Sequence, residues 1–105
     1  MSFYMVYVTC KDDQEAKNVA NHLLEKRLIA CANMFPVKSL YRWKGNIESD
    51  DEIAVLMKTE DIHKDSIIEE IKALHSYEVP CIEFILITDG NPEYLQWIGD
   101  ETSVH

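Results

Sequence analysis

The sequence predicts an α+β fold, a ferredoxin-like βαββαβ sandwich with a short extra helix at the C-terminal end. Three observations predict it. Apolar runs of strand character recur at "FYMVYVT", "LIACANMF", "EIAVLMKT" and "CIEFILIT". Helical periodicity fills the stretches after the first and third of them. The resulting order, strand, helix, strand, strand, helix, strand, holds two crossovers, and these place two helices on one face of a mainly antiparallel sheet.

Each element has a local cause. Residues 3 to 9 are aromatic, β-branched or otherwise apolar, which suits a central strand buried on both faces. Asp12 followed by Glu15 has the spacing of a capping box. Ala16, Val19, Ala20, Leu23 and Leu24 then form one apolar helical face, and Lys26 and Arg27 suit the negative end of the helix dipole. "VKSLYRWKGNIE" continues the second strand into a hairpin turning at Lys44-Gly45-Asn46. Pro36 has no N–H to donate, so its strand belongs at an edge or a bulge. The second helix starts near Asp61 and buries Ile67, Ile68, Ile71 and Leu74. Asn91 and Pro92 read as cap and first residue of the short last helix, with Tyr94, Leu95, Trp97 and Ile98 as its apolar face. From Asp100 the polar tail is expected to fray.

At 105 residues without linker or repeat, the chain reads as one domain, residues 1–105. Nineteen acidic against ten basic residues give a net charge of −9, which disfavours phosphate backbones and anionic membranes. No run spans a bilayer, and the start "MSFYMVYVTC" lacks a basic leader, so no membrane insertion and no secretion signal are expected. Cys10, Cys31 and Cys81 are odd in number and form no CxxC pair, pointing to a reducing, cytoplasmic setting.

The strands carry apolar residues on both faces, Phe3, Met5 and Tyr7 against Tyr4, Val6 and Val8, while two helices cover one face. Self-association answers the exposed face. Tyr41, Arg42 and Trp43 on the hairpin have the chemistry of interface anchors.

The segments "RLIACAN" (27 to 33), "SLYRWKGNIE" (39 to 48), "KT" (58 to 59), "HSYEVP" (75 to 80) and "NPEYLQW" (91 to 97), in this order, resemble the CutA family of divalent-cation-tolerance proteins. The family's "HPYEVPE" reads "HSYEVPC" here, with Ser76 for a proline and Cys81 for a carboxylate. The resemblance implies a compact homotrimer similar in architecture to the PII signalling proteins, its long hairpin reaching a neighbour. It also implies a role in tolerance of divalent metals, often copper.

Candidate ligands are few. His75 and Cys81 offer an imidazole and a thiol for copper or zinc, and Glu78 an added oxygen; the competing reading is a helix-capping corner with no metal. Cys10, where the first strand meets the first helix, is either a metal-binding thiol or a small buried residue. Cys31 reads as core. Glu48, Lys58, Tyr77 and Glu78 could line a ligand cleft between subunits, or form an interface ion-pair network. "ESDDE" (48 to 52) lacks the spacing of a calcium loop. His22 and His63 are placed on outer helix faces without partners and His105 in the tail, all as surface residues. No nucleophile elbow, phosphate loop or HExxH is present, so the expectation is a non-enzyme. The leading expectation is a homotrimeric metal-ion-binding protein, and the alternative is a PII-like small-ligand signalling or scaffold trimer.

Overall fold

The computed structural model describes residues 2–103. The elements run β1 (Phe3–Cys10), α1 (Asp13–Glu25), β2 (Cys31–Trp43), β3 (Asn46–Glu60), a 3-10 turn (Asp61–His63), α2 (Lys64–Leu74), β4 (Ile82–Ile87) and α3 (Pro92–Glu101). The sheet order is β2-β3-β1-β4, with every neighbouring pair antiparallel. β1 sits in the middle because β1–α1–β2 and β3–α2–β4 each skip one strand, as the sandwich requires.

One face of the sheet carries Val6, Val8, Cys10, Val55 and Met57, which bury against Val19, Leu23, Ile67 and Ile71 of α1 and α2. The buried stripe of α2 is narrower than its periodicity predicts: Leu74 is exposed, because the helix ends there, at the margin of the sheet. Leu24 of α1 is likewise exposed.

Caps and turns follow local chemistry. The Asp12 carboxylate accepts from the Glu15 N–H at 2.8 Å. α1 closes in a Schellman motif, with Leu28 N–H to Leu23 O (2.9 Å) and Arg27 N–H to Leu24 O (3.0 Å). Arg27 takes the positive φ of 57° that glycine usually supplies there. Lys44 and Gly45, with φ of 47° and 83°, make a two-residue hairpin turn, and Asn46 already pairs with Trp43. Asn91 caps α3 by accepting from Glu93 N–H, as its place before Pro92 predicts.

Pro36 lies on β2, an edge strand, where its missing N–H costs no ladder bond to a further strand. β1 ends at Cys10, paired with Ile53, but β2 and β3 go on pairing from Val37–Glu52 to Trp43–Asn46. A two-stranded arm roughly 20 Å long therefore projects beyond the sheet. It stretches the molecule to 44 × 26 × 21 Å, with a radius of gyration of 14.3 Å against roughly 13 Å for a compact chain of this length.

Three expectations are corrected here. His63 is buried rather than on a surface, because the 3-10 turn ahead of α2 rotates it inward, where its Nε2 meets Thr102 O at 2.8 Å. The tail does not fray at Asp100: α3 runs to Glu101 and Thr102 is fully buried. His22 has partners, since its Nε2 lies 2.5 Å from Glu70, which Lys26 also approaches at 3.0 Å. His105 lies outside the described residues.

Candidate functional site

Two places gather the polar side chains singled out in the sequence. The first is a closed corner where the end of β1, the start of α1 and the end of α2 meet. Cys10, Glu15 and His75 converge there, with ligand-type atoms all within 4.8 Å of one another. The side chain of His75 is fully buried and that of Glu15 is 8% exposed.

The corner's polar atoms are already engaged. His75 Nε2–H donates to Thr9 O at 2.8 Å, and its Nδ1 accepts from Tyr77 N–H at 3.1 Å. These two bonds fix a neutral imidazole in one tautomer and occupy both ring nitrogens. Glu15 accepts from Lys11 N–H at 3.0 Å through Oε1 and from Ser76 N–H at 2.9 Å through Oε2. Burial alone would raise its carboxyl, but the hydrogen bonds from Ser76 and Lys11 hold it below the ordinary range. Burial, then the nearby Glu15, Glu52 and Asp12, push the Cys10 thiol up to about 12, so it stays protonated at neutral pH. A metal here would have to displace hydrogen bonds that the chain itself supplies.

The second place is an open groove of about 670 Å³ between the sheet, the arm and the 77–81 loop. Tyr7, Tyr41, Trp43 and Tyr77 give it aromatic walls, and Lys38, Glu52, Glu78 and Cys81 give it polar ones. The Tyr77 hydroxyl donates to Glu52 Oε2 at 2.6 Å and ties the loop to the base of the arm. Burial and this bond to a carboxylate raise the Tyr77 phenol. Burial, Cys81, Glu52 and Glu83 raise Tyr7. The Cys81 sulfur is 3.5 Å from Glu83 Oε1, and burial with that carboxylate pushes the thiol up to about 11.

The sequence-predicted residues are redistributed. His75 pairs with Cys10, not with Cys81: the two ends of "HSYEVPC" fall on the corner and the groove respectively. Tyr77 and Glu78 line this groove, and Glu48 and Lys58 lie apart from it. Lys58 lies toward the other end of the sheet, its ammonium 3.3 Å from Asn33 Oδ1, and Glu48 stands out on the arm opposite Tyr41. Glu78 meets Lys44 of the hairpin turn at 3.9 Å. Tyr41 donates to Asp50, Arg42 is exposed, and Trp43 carries the Lys44 ammonium 5.6 Å from its ring centre. Cys31 is half-buried on an edge strand and not a core residue.

This architecture, with its long arm, matches solved structures closely. The structure described as the periplasmic divalent cation tolerance protein CutA from Archaeoglobus fulgidus superimposes with a TM-score of 0.94 at 40% identity, covering 96% of this chain and 99% of that one. CutA from Xylella fastidiosa gives 0.94 at 36% identity, over 98% and 100%. The family model described as CutA1 divalent ion tolerance protein matches residues 4–101. The chain belongs to the CutA family. In sequence it is 45% identical to the divalent-cation tolerance protein CutA of Archaeoglobus fulgidus, over 92% of this chain and 94% of that protein. It is 37% identical to the human protein CutA over 91% of its own length but 54% of the human one.

Two features of this CutA chain escaped sequence reasoning. Glu15 was visible as a capping residue but not as a clamp on Ser76, a contact across 61 positions that no local pattern encodes. Glu52 sat in an acidic run that reads as solvated turn. Its strand parity, on the same face as Tyr7 and Thr9, was the signal that could have placed it in the groove.

Proposed function

We propose that this chain serves divalent-cation tolerance as a non-catalytic homotrimer that binds metal ions, copper or zinc, in the groove and not in the corner. The observation that carries this is the contrast in ligand availability. Cys81, whose sulfur lies 3.5 Å from Glu83 Oε1, lines an open groove that also presents Glu78, whereas the nitrogens of His75 and the oxygens of Glu15 are taken. A thiolate with carboxylates suits zinc and copper, and a bound ion displaces the thiol proton.

The trimer rests on the arm. Leu40 is 77% exposed and Ile47 70%, and an isolated two-stranded ribbon is marginal in water. A second and third copy covering the arms of their neighbours in a closed ring would remove both liabilities. Three unpaired cysteines favour a reducing, cytoplasmic compartment, although one structural relative is described as periplasmic.

Native mass spectrometry under reducing conditions, titrated with copper and zinc, tests this. The expected result is a trimer taking one saturable ion per subunit, lost in Cys81→Ser and retained in Cys10→Ala. Uptake lost in Cys10→Ala and kept in Cys81→Ser would move the site to the corner.

A second reading draws on the groove's aromatic walls and volume: a small polar metabolite bound at the arm's base, in a PII-like signalling role. A metabolite that raises the melting temperature in metal-free buffer would favour it.

A further inference from the structure

The end of the sheet remote from the arm carries a segment that neither the corner nor the groove explains. Ile87, the last residue of β4, pairs with Phe3, whereas the arm leaves the sheet beyond Cys10, at the other end of β1. Residues 88 to 91 then belong to no helix or strand, and all four are exposed. They contain Asp89-Gly90, and no other Asp or Asn in the chain precedes a glycine. The Gly90 N–H donates to Asp89 Oδ1 at 2.9 Å, so this backbone nitrogen lies against the carboxyl group of the residue before it. Gly90 has no Cβ to hinder its nitrogen, and its backbone is the least restricted of any residue. The other aspartates are held differently. Asp12 caps α1, and Asp13, Asp50, Asp51, Asp61, Asp65 and Asp100 all stand inside regular elements, where the backbone nitrogen that follows is fixed.

We propose that Asp89-Gly90 is a site of spontaneous backbone modification, the isomerisation of Asp89 to isoaspartate, and that this change loosens α3. The Gly90 nitrogen attacks Cγ of the protonated Asp89 carboxyl group. A C–N bond forms and the bond from Cγ to the hydroxyl oxygen breaks. The nitrogen's proton and the hydroxyl leave together as water, and a five-membered cyclic imide remains. Water then adds to one of its two carbonyls. Opening at Cγ restores aspartate. Opening at the main-chain carbonyl leaves the chain running through Cβ and Cγ, with the former main-chain carboxyl as the side group. One water leaves and one returns, so no oxidant, reductant or co-reactant is needed and the charge is unchanged. The reaction is internal to the loop, so it proceeds in the assembled protein as in the single subunit. Its consequence falls on the next residues. The chain gains one backbone carbon just ahead of Asn91, whose Oδ1 caps α3 by accepting from Glu93 N–H at 3.1 Å, and of Pro92, which starts the helix. Displacing that cap strips a partner from the first turn of α3.

The test is storage of the native protein in warm neutral buffer, followed over time by mapping with an endoprotease that cuts at aspartate but not at isoaspartate. Cleavage at Asp89 should be lost before cleavage at any other aspartate, through a transient species one water lighter than the parent. The aged chain should accept a methyl group from an isoaspartyl carboxyl methyltransferase. Gly90→Ala should slow the loss severalfold at an unchanged melting temperature, because the nearest neighbour of the added methyl group is Leu95, at 3.7 Å. Asp89→Glu, which cannot close the five-membered ring, should abolish it and serves if Gly90→Ala folds poorly. Amide exchange at Glu93, Tyr94 and Leu95 should be faster in the isomerised fraction than in the fresh protein. Isoaspartate appearing first at another aspartate, none at Asp89 in the native chain although it forms in urea, or a Gly90→Ala variant that ages at the parent rate would overturn the site. An isomerised chain whose α3 exchanges as in the fresh protein would overturn the loosening.

Discussion

The corner and the groove are built from the two halves of one short segment, yet they are opposite kinds of place. In the corner, His75 and Ser76 find every partner within the chain: Thr9, Tyr77 and Glu15 satisfy them. In the groove, Tyr77 reaches Glu52, but Glu78, Val79 and the aromatic walls remain open to solvent. Ligand-type residues that converge are therefore not by themselves a binding site. What separates the two is whether their lone pairs and protons are already used. The corner is a fastening of the fold, and the groove is a surface left for something else.

That comparison can be broken most forcefully at Glu15. Glu15→Ala strips acceptors from two backbone N–H groups in a poorly solvated place and should cost about 3 kcal/mol, read from the urea midpoint. A loss under about 1 kcal/mol would mean that the corner is not a fastening. On the open side, Tyr41→Ala with Trp43→Ala should leave the subunit folded but weaken the proposed trimer, each anchor contributing about 2 kcal/mol. Sedimentation at falling concentration reads this, and a double variant that stays assembled to the same dilution as the parent would show the arm to be dispensable.

Smaller effects sharpen the boundary between the two regions. Tyr77→Phe removes the single tie from the loop to Glu52 and should cost about 1 kcal/mol. Acid should act through the corner. The folded Glu15 carboxyl lies below its unfolded value, so its contribution is complete above the unfolded value of about 4.3 and is lost as pH falls through the folded one. Stability should decline with acid in that window, and Glu15→Gln should flatten the decline; an unchanged slope in the variant would contradict this. Glu78→Ala, on the open rim, should change stability by less than about 0.5 kcal/mol.

Much of the fold was legible because its signals are local. Asp12, Asn91-Pro92 and Lys44-Gly45 act through backbone groups within a few positions, and Pro36 excludes itself from a central strand. The periodicity of α1 and α2 found the buried Val19, Leu23, Ile67 and Ile71. It overreached at Leu24 and Leu74, since a period knows nothing of where the sheet beneath a helix stops. The site was legible only as a list of residue types. Pairing His75 with Cys81 relied on nearness in sequence, but the chain between them turns from helix to strand and sends them to different places. His63 and Thr102 were misplaced for the same reason: their bond joins residues 39 positions apart. Cys31 looked like core because "LIACANMF" is apolar, whereas strand order made it an edge residue.

The most direct test of the closed corner and the open groove is nitrogen NMR of the His75 ring while the reduced protein is saturated with zinc. The account predicts that both His75 nitrogens keep the shifts of a neutral imidazole protonated at Nε2, while Cys81 carbon resonances move. A coordination shift at either His75 nitrogen, with Cys81 unmoved, would contradict it and make the corner the metal site.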